Sequence, residues 1–188
     1  AGHQAEQEIR AVAEISALSL IKISTRSEAR ANWIADRLKD VEIEIRFTSA
    51  EDAVRGSDIV TTVTPSETPL VRDEWVDEGT HISAMGADDV GKYELDTAIL
   101  RRASLYADYP RQSVVIGEFQ HAFHDGLLSS VDEICALGSV TLGESPGRVS
   151  KEQITVFDSS GIAIQDLAVA GAILEEARRS DQVQYIDF

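Results

Sequence analysis

Short apolar segments alternate with helical segments along this chain, and this alternation constrains the fold more than any other feature. Six predicted strands, rich in branched side chains, lie at 20–24, 42–47, 58–63, 81–84, 104–107 and 154–157. Helical periodicity lies at 4–18, 27–39, 49–56, 95–103, 111–124, 131–142 and 162–178. Strands that alternate with helices at this spacing form βαβ units, so we expect an α/β protein with a parallel sheet.

The composition excludes several classes of partner. The 188 residues carry a formal net charge of −16, from 33 acidic and 17 basic side chains. Because phosphate binding requires clustered Lys and Arg, this charge argues against nucleic acid. No apolar run approaches the roughly 20 residues that a membrane span requires, so we expect no membrane partner. The single Cys135 is typical of a reducing compartment, and we expect a cytoplasmic protein.

The first residues have the pattern of the second half of a glycine-rich phosphate loop. A helix that begins just after Gly2 presents free backbone N–H groups, and the positive end of its dipole, to an anion. We therefore predict that Gly2, His3 and Gln4 cradle a pyrophosphate. An ordinary helix start after a glycine is the alternative.

The end of the first predicted strand bears on the choice of cofactor. In dinucleotide-binding folds an acidic residue at this place binds the ribose 2′-hydroxyl, whereas an arginine accommodates a 2′-phosphate. Thr25 and Arg26 supply a hydroxyl and a guanidinium here, so they favour NADP over NAD. A helix cap beside a solvated arginine is the alternative.

Two further strand ends carry small hydroxyl residues. Thr62 and Thr64 end the strand at 58–63, and Ser160 and Gly161 follow the strand at 154–157 and open a helix. Small side chains let a nucleotide approach, and hydroxyls hydrogen-bond to ribose or phosphate. We predict that these four residues line a cofactor cleft; a polar strand end and a capped helix are the alternatives.

Asp88 is the leading candidate for chemistry. It follows the strand at 81–84 on a glycine-bent loop, and open α/β sheets carry their active sites on the loops at the carboxyl ends of the strands. Beside a bound imine or amine, a carboxylate takes or gives a proton and stabilises an iminium, provided that partial burial tunes its pKa. Asp89 is the rival, and a simple Asx turn is the alternative. Met85 and Gly86 precede the loop and are predicted to contact the cofactor.

The remaining polar residues bear on metal binding and on the position of residues 118–121. The histidines and Cys135 lack the paired spacing of a tetrahedral zinc site, so no metal is assigned. The segment Glu118-Phe119-Gln120-His121 is predicted to lie on a surface helix, and a place near the cleft is the alternative.

Taken together, these segments resemble the ornithine cyclodeaminase and mu-crystallin family. The resemblance is carried by residues 2–5, 58–66, 74–75, 79–82, 84–96 and 157–166, in the family's order. It implies a Rossmann-type, doubly wound parallel sheet in a homodimeric enzyme that uses NAD or NADP on a small amino acid or its imine. In the cyclodeaminases an aspartate in a Gly-x-Asp-x-x-Gly-Lys segment acts at the substrate, and Asp88 occupies that position here.

The resemblance implies an oxidoreductase that transfers hydride between the cofactor and an amino acid or its imine. Residues 112–121 and the pair Gly147-Arg148 look more like the iminosuccinate reductase branch, with alanine dehydrogenases and ketimine reductases nearby. Within such an enzyme Ser160 and Gly161 would form the wall near the nicotinamide. Ornithine cyclodeamination, which releases ammonia and forms proline on a catalytic NAD, is the alternative enzymatic reading. A non-enzymatic, crystallin-like binding protein is the third.

Two features of the family are missing from this sequence. They are the N-terminal region with the substrate-binding Arg and Lys and most of the dimer interface, and the first strand and first glycine of the cofactor fold. Residues 1–181 are therefore predicted to be an N-terminally truncated dinucleotide-binding domain, and residues 182–188 a tail that returns to the missing substrate domain. We expect no measurable turnover from this chain in isolation.

Overall fold

The structure is a computed structural model that describes residues 2–180, and it confirms the Rossmann-type α/β fold. The strands are β1 (Leu20–Ile23), β2 (Glu44–Phe47), β3 (Ile59–Thr62), β4 (His81–Ala84), β5 (Ala103–Ala107), β6 (Ile134–Ala136) and β7 (Ile154–Asp158). The helices are α1 (His3–Ile15), α2 (Glu28–Arg37), α3 (Ala50–Val54), α4 (Thr97–Leu100), α5 (Pro110–Ile116), α6 (Gln120–His124), α7 (Leu137–Thr141) and α8 (Ala163–Arg179).

The strands form two parallel sheets. One contains β1 and β2, and the other has the order β3-β4-β7-β5-β6. In the described part of the chain β1 pairs with β2 alone and β3 with β4 alone, so each has one unpaired edge. This arrangement is the one expected of a doubly wound sheet whose first strand is missing between β1 and β3.

Each sheet has its own apolar core. In the five-stranded sheet, alternate side chains of β4, β5 and β7 pack with α4 and α6, because successive residues of a strand point to opposite faces. The core members include Ile82, Leu105, Val156, Ile99 and Phe119. In the two-stranded sheet the buried cluster consists of Ile23, Ile34 and Leu38, with α1 packed against it.

Two predicted helices are wrong in detail. The helix expected at 111–124 is divided into α5 and α6, because Gly117 takes an extended conformation with ψ −170°. The helix expected at 131–142 contains instead a 3-10 turn, the edge strand β6 and the short α7. Three residues of strand are too few to produce an alternating pattern, and it is pairing with β5 that makes this segment a strand.

Several other expectations concern the ends and surfaces of the chain. Residues 181–188, which include the predicted tail, lie outside the described residues, so the division at 181 stays a prediction. Among residues 2–180, no helix has the length and apolar character needed to span a bilayer.

α8 exposes apolar side chains at Ile164, Leu167, Val169, Ile173 and Leu174.

Candidate functional site

The carboxyl ends of the parallel strands bring three of the predicted cofactor segments together. The N–H of Met85, just after β4, donates to the carbonyl of Thr62 at the end of β3 (2.8 Å). The N–H of Ser159, just after β7, donates to the carbonyl of Ala84 at the end of β4 (3.0 Å). Residues 62–64, 85–86 and 159–161 therefore share one edge of the sheet, where open α/β proteins bind ligands.

The β1–β2 region places its predicted residues at the corresponding edge. Thr25 is half-buried and Arg26 is exposed, directly after the carboxyl end of β1. Helix α2 begins shortly afterwards, at Glu28.

Helix α1 runs parallel to α2, so both start at the same end of the sheet. The ring of His3 packs edge-on against Trp33 of α2, with 4.9 Å between the ring centroids. Further along α1, Arg10 Nη1 lies 2.8 Å from Asp40 Oδ2, beyond the end of α2. Gly2 is the N-cap residue and a Cβ there would meet open space, so the first N–H groups of α1 face an accessible region.

The loop at 86–92 presents Asp88 to solvent. The Asp88 side chain is 59% exposed, and its Oδ1 accepts a hydrogen bond from Lys92 Nζ (2.6 Å). This bond raises the pKa of Lys92 and keeps that side chain charged. The rival carboxylate, Asp89, accepts a bond from the N–H of Val90 (2.8 Å) and so serves the turn. The partial burial expected of Asp88 is not present among the described residues.

A buried carboxylate that the sequence analysis did not single out joins two of the site loops. Glu94 is fully buried; its Oε1 accepts from the N–H of Thr64 (2.7 Å) and its Oε2 from the N–H of Gly86 (3.0 Å). A Cβ on Gly86 would overlap the backbone carbonyl oxygen of Thr64 and lie 2.5 Å from its nitrogen, so the position accepts only glycine. The loops after β3 and β4 are therefore fixed relative to one another through one side chain.

A second buried acid supports the first. Glu118 is 1% exposed, and its carboxylate accepts from the N–H groups of Glu94 (2.9 Å) and Leu95 (2.7 Å). Burial raises the pKa of Glu118 well above its usual range, although the backbone hydrogen bonds act in the opposite direction. The predicted surface helix at 118–121 is thus wrong, and the available signal was Gly117, which interrupts the helix just before this acid.

The loop that follows β7 is held by Asp108, just after β5, and by Gln112 of α5. Asp108 Oδ2 accepts from Ser159 Oγ (3.1 Å) and from the N–H of Gly161 (3.0 Å). Gln112 Nε2 donates to Ser160 Oγ (3.2 Å) and to the carbonyl of Gly161 (2.5 Å). Gly161 has φ +78°, a conformation that disfavours other residues. The loop is therefore fixed on two sides.

Asp158 and Thr62 are buried polar groups at the same edge. Asp158 Oδ2 accepts from Ser113 Oγ, while Asp158 Oδ1 has no partner among the described residues. Burial raises the pKa of Asp158 to about 7. Thr62 Oγ1 is likewise without a partner in residues 2–180. Unsatisfied buried oxygens are uncommon in native proteins. Over the same residues, no cluster of three or more His, Cys, Asp or Glu could hold a metal.

Three solved structures have the same fold over nearly the whole chain. An archaeal alanine dehydrogenase dimer with bound NAD is 39% identical and covers 100% of this chain, with a TM-score of 0.92. The iminosuccinate reductase of Paracoccus denitrificans in complex with NAD+ is 35% identical over 100% of the chain, with a TM-score of 0.93. The Δ1-pyrroline-2-carboxylate reductase of Thermococcus litoralis, in complex with NADH and L-proline, is 28% identical over 96%, with a TM-score of 0.91.

The chain spans little more than half the length of these relatives. It covers 58% of the first two structures and 57% of the third. The match to the sequence pattern of one family, in contrast, extends over residues 1–181. On this match, and on the identity with the reductases above, the chain belongs to the ornithine cyclodeaminase/mu-crystallin family.

Proposed function

We propose that this chain is the nucleotide-binding part of an NAD(P)-dependent oxidoreductase that acts on a small amino acid or its imine. The observation that carries the proposal is the shared edge of the sheet. There the loops after β3, β4 and β7 meet, and the loop after β4 presents Asp88. The names and ligands of the reductase and dehydrogenase relatives support the same reaction class.

The residues at this edge fit a nicotinamide dinucleotide. Gly2, His3 and Gln4 would hold the pyrophosphate at the start of α1, where the helix dipole favours negative charge. Thr62 and Thr64 would line the cleft at the end of β3, and Met85 with Gly86 would supply the adjoining backbone. Ser160 and Gly161 would form the wall near the nicotinamide.

Asp88 would manage the proton and the charge of the substrate. When bound, the nicotinamide supplies or accepts the hydride at the substrate carbon. A carboxylate beside an imine nitrogen stabilises the protonated, more electrophilic iminium. Lys92 Nζ, 2.6 Å from Asp88 Oδ1, would hold the carboxylate in place until a cationic substrate takes the place of the ammonium group.

The choice between NAD and NADP has support on both sides. The relatives described above hold NAD, NAD+ or NADH, whereas exposed Arg26 and Thr25 offer a guanidinium and a hydroxyl to a 2′-phosphate. We retain NADP as the proposal. Fluorescence titration of the complete protein should then give a tighter Kd for NADPH than for NADH, and Arg26→Ala should weaken NADPH binding about tenfold without affecting NADH. Tighter binding of NADH would reverse the choice.

The exposed apolar side of α8 supports a larger assembly. Large exposed apolar side chains in this number on one helix are typical of a segment that is covered in an assembly. We propose that residues 1–181 form the nucleotide domain, that the remainder of a longer homodimeric protein supplies the substrate-binding cations, and that this chain in isolation lacks turnover.

The test is the substitution Asp88→Asn in the complete protein. With pyruvate, oxaloacetate or Δ1-pyrroline-2-carboxylate as substrate, ammonia added for the oxo acids, oxidation of the reduced cofactor should slow by about 10² to 10⁴-fold. The matched variant Asp89→Asn should retain most of the activity, because Asp89 serves the turn. Full turnover by Asp88→Asn would refute the assignment, and product formed from ornithine without net cofactor consumption would indicate cyclodeamination instead.

A further inference from the structure

We propose that Gln120 is a positioning residue for the reaction, because its side-chain amide fixes the backbone of the loop 86–92 and so determines where Asp88 stands. The inference rests on the proposed role of Asp88. It concerns a residue that the sequence analysis placed on a surface helix and that the structure buries, with 8% of its surface exposed.

The Gln120 amide bonds to the loop at three places. Its Oε1 accepts from the N–H of Gly91 (2.7 Å), and its Nε2 donates to the carbonyls of Lys92 (2.9 Å) and Asp89 (3.1 Å). These partners lie 28 to 31 residues away in the sequence. Nε2 also lies 3.0 Å from the carbonyl of Gly117, which ties the amide to its own turn.

The contacts require both a donor and an acceptor on one side chain. A primary amide supplies an acceptor oxygen and two N–H donors, whereas a carboxylate supplies acceptors alone. A glutamate at position 120 could still accept from Gly91, but it would face the carbonyl oxygens of Asp89 and Lys92 with negative charge. An apolar side chain of similar size would leave all three backbone groups without this partner.

The position of Asp88 depends on the loop backbone more than on side-chain packing. Asp88 is 59% exposed, and its Oδ1 accepts a hydrogen bond from Lys92 Nζ, which is part of the same loop. Gly91 has φ +87°, so the loop makes a turn that glycine alone adopts readily. Since Gln120 binds the backbone at residues 89, 91 and 92, it sets the place of both members of the Asp88–Lys92 pair.

Gln120 itself stands on a rigid element. It is the first residue of α6, and its neighbour Phe119 is fully buried in the core of the five-stranded sheet. At the other end of the loop, the N–H of Gly86 is held by buried Glu94. The loop is thus anchored at both ends to buried side chains, with Asp88 between the two anchors. Displacement of a reacting group by about 1 Å costs about 10²-fold in rate, so such anchoring bears directly on turnover.

The experiment compares Gln120→Leu and Gln120→Glu with Gln7→Leu and Gln7→Glu, since Gln7 is exposed on α1. The first readout is amide hydrogen exchange of the complete protein. We expect exchange at Gly91 and its neighbours to accelerate on the order of tenfold in both Gln120 variants, with β4 and β7 unchanged and with native thermal stability in at least one variant. The Gln7 pair should match the wild type.

The second readout separates positioning from general damage. In the Gln120 variants kcat should fall about 10- to 100-fold while the KM of the reduced cofactor changes less than twofold. Gln120 binds the backbone at residues 89, 91 and 92, whereas Met85 and Gly86 are held by Thr62 and Glu94. Unchanged exchange at Gly91 would overturn the proposal, and so would faster exchange with unchanged kcat. Failure of Asp88→Asn to lower turnover would instead refute the proposed function, and the exchange data would still decide whether Gln120 holds the loop.

Discussion

The region that contains β1 and β2 and the region that contains the five-stranded sheet differ in how they bury apolar and charged groups. The first has a small buried cluster of Ile23, Ile34 and Leu38, and β2 is mostly exposed. The second has a core that extends through all of its strands. Because apolar burial is the main stabilising contribution to folding, the β1–β2 region depends on far fewer side chains.

The two regions also differ in the groups that bind their buried acidic side chains. In the β1–β2 region Glu6 forms ion pairs with Arg37 and with Arg10 (3.2 Å). In the five-stranded region Glu94 and Glu118 receive backbone N–H groups instead, and burial raises the pKa of Asp158 to about 7. Ion pairs hold α1 to α2, whereas buried acids hold the loops of the candidate site. The ion pairs therefore contribute to the stability of the β1–β2 region, whereas the buried acids position the loops of the candidate site.

The largest expected effect tests whether the two cores are independent. Ile34→Ala and the matched Ile82→Ala each remove a fully buried side chain, and each should lower the unfolding free energy by about 2 to 5 kcal/mol. Hydrogen exchange should show α1, β1 and α2 losing protection first in Ile34→Ala, and β4 and β7 losing it in Ile82→Ala. Equal loss across both regions in both variants would mean that they form one cooperative unit.

The second prediction concerns Asp158 and pH. An unfolded aspartate titrates near pH 4 and this one at about 7, so the folded chain binds more protons between those values. Stability from this group is therefore complete below pH 4 and falls as pH rises to about 7, by at most about 1.4 kcal/mol per pH unit. Urea unfolding from pH 4.5 to 8 should show this slope, and Asp158→Asn should make it shallower, leaving the share of Glu118, whose pKa burial also raises.

The Ser113 hydroxyl, which donates to Asp158, provides a control for this dependence of stability on pH. The hydrogen bond from Ser113 lowers the pKa of Asp158 and so opposes the larger effect of burial. Ser113→Ala should therefore extend the slope to higher pH. A slope that is unchanged in Asp158→Asn would assign it to Glu118 instead.

The smallest effect is expected at Glu6, and it has the opposite sign. The hydrogen bond from Arg37 lowers the pKa of Glu6 below its usual value, with burial opposing and Arg10 adding to the effect. Stability from this group is present above pH 4.5 and lost as pH falls further. Glu6→Gln should lower the urea midpoint at pH 7, less so in 1 M salt because the partner arginines of buried Glu6 are part-exposed and salt screens their charge. Exposed Glu14→Gln should leave it unchanged, and an equal shift in both would refute the role of the ion pairs.

Much of the fold could be predicted from local pattern. Strand β4 was placed at its observed bounds and most other strands within two residues, because branched apolar runs between helical segments have a clear period. Strand β6 was missed since its three residues become a strand through pairing with β5. The position of β7 at the centre of the sheet, between β4 and β5, likewise depends on pairing across the chain.

The sequence by itself determined the α/β class, the glycine at the start of α1 and the loop that carries Asp88, because helix period and turn chemistry are local properties. The tertiary structure alone decided that Glu94, Glu118 and Gln120 are buried beneath that loop. Their partners lie 8 to 31 residues away, and whether a polar side chain holds a backbone group or faces water depends on which segments the fold brings together. Hydrophobic periodicity in the sequence contains no information about such pairing. Burial of an acid is favourable only where the fold has assembled the hydrogen-bond donors that satisfy it.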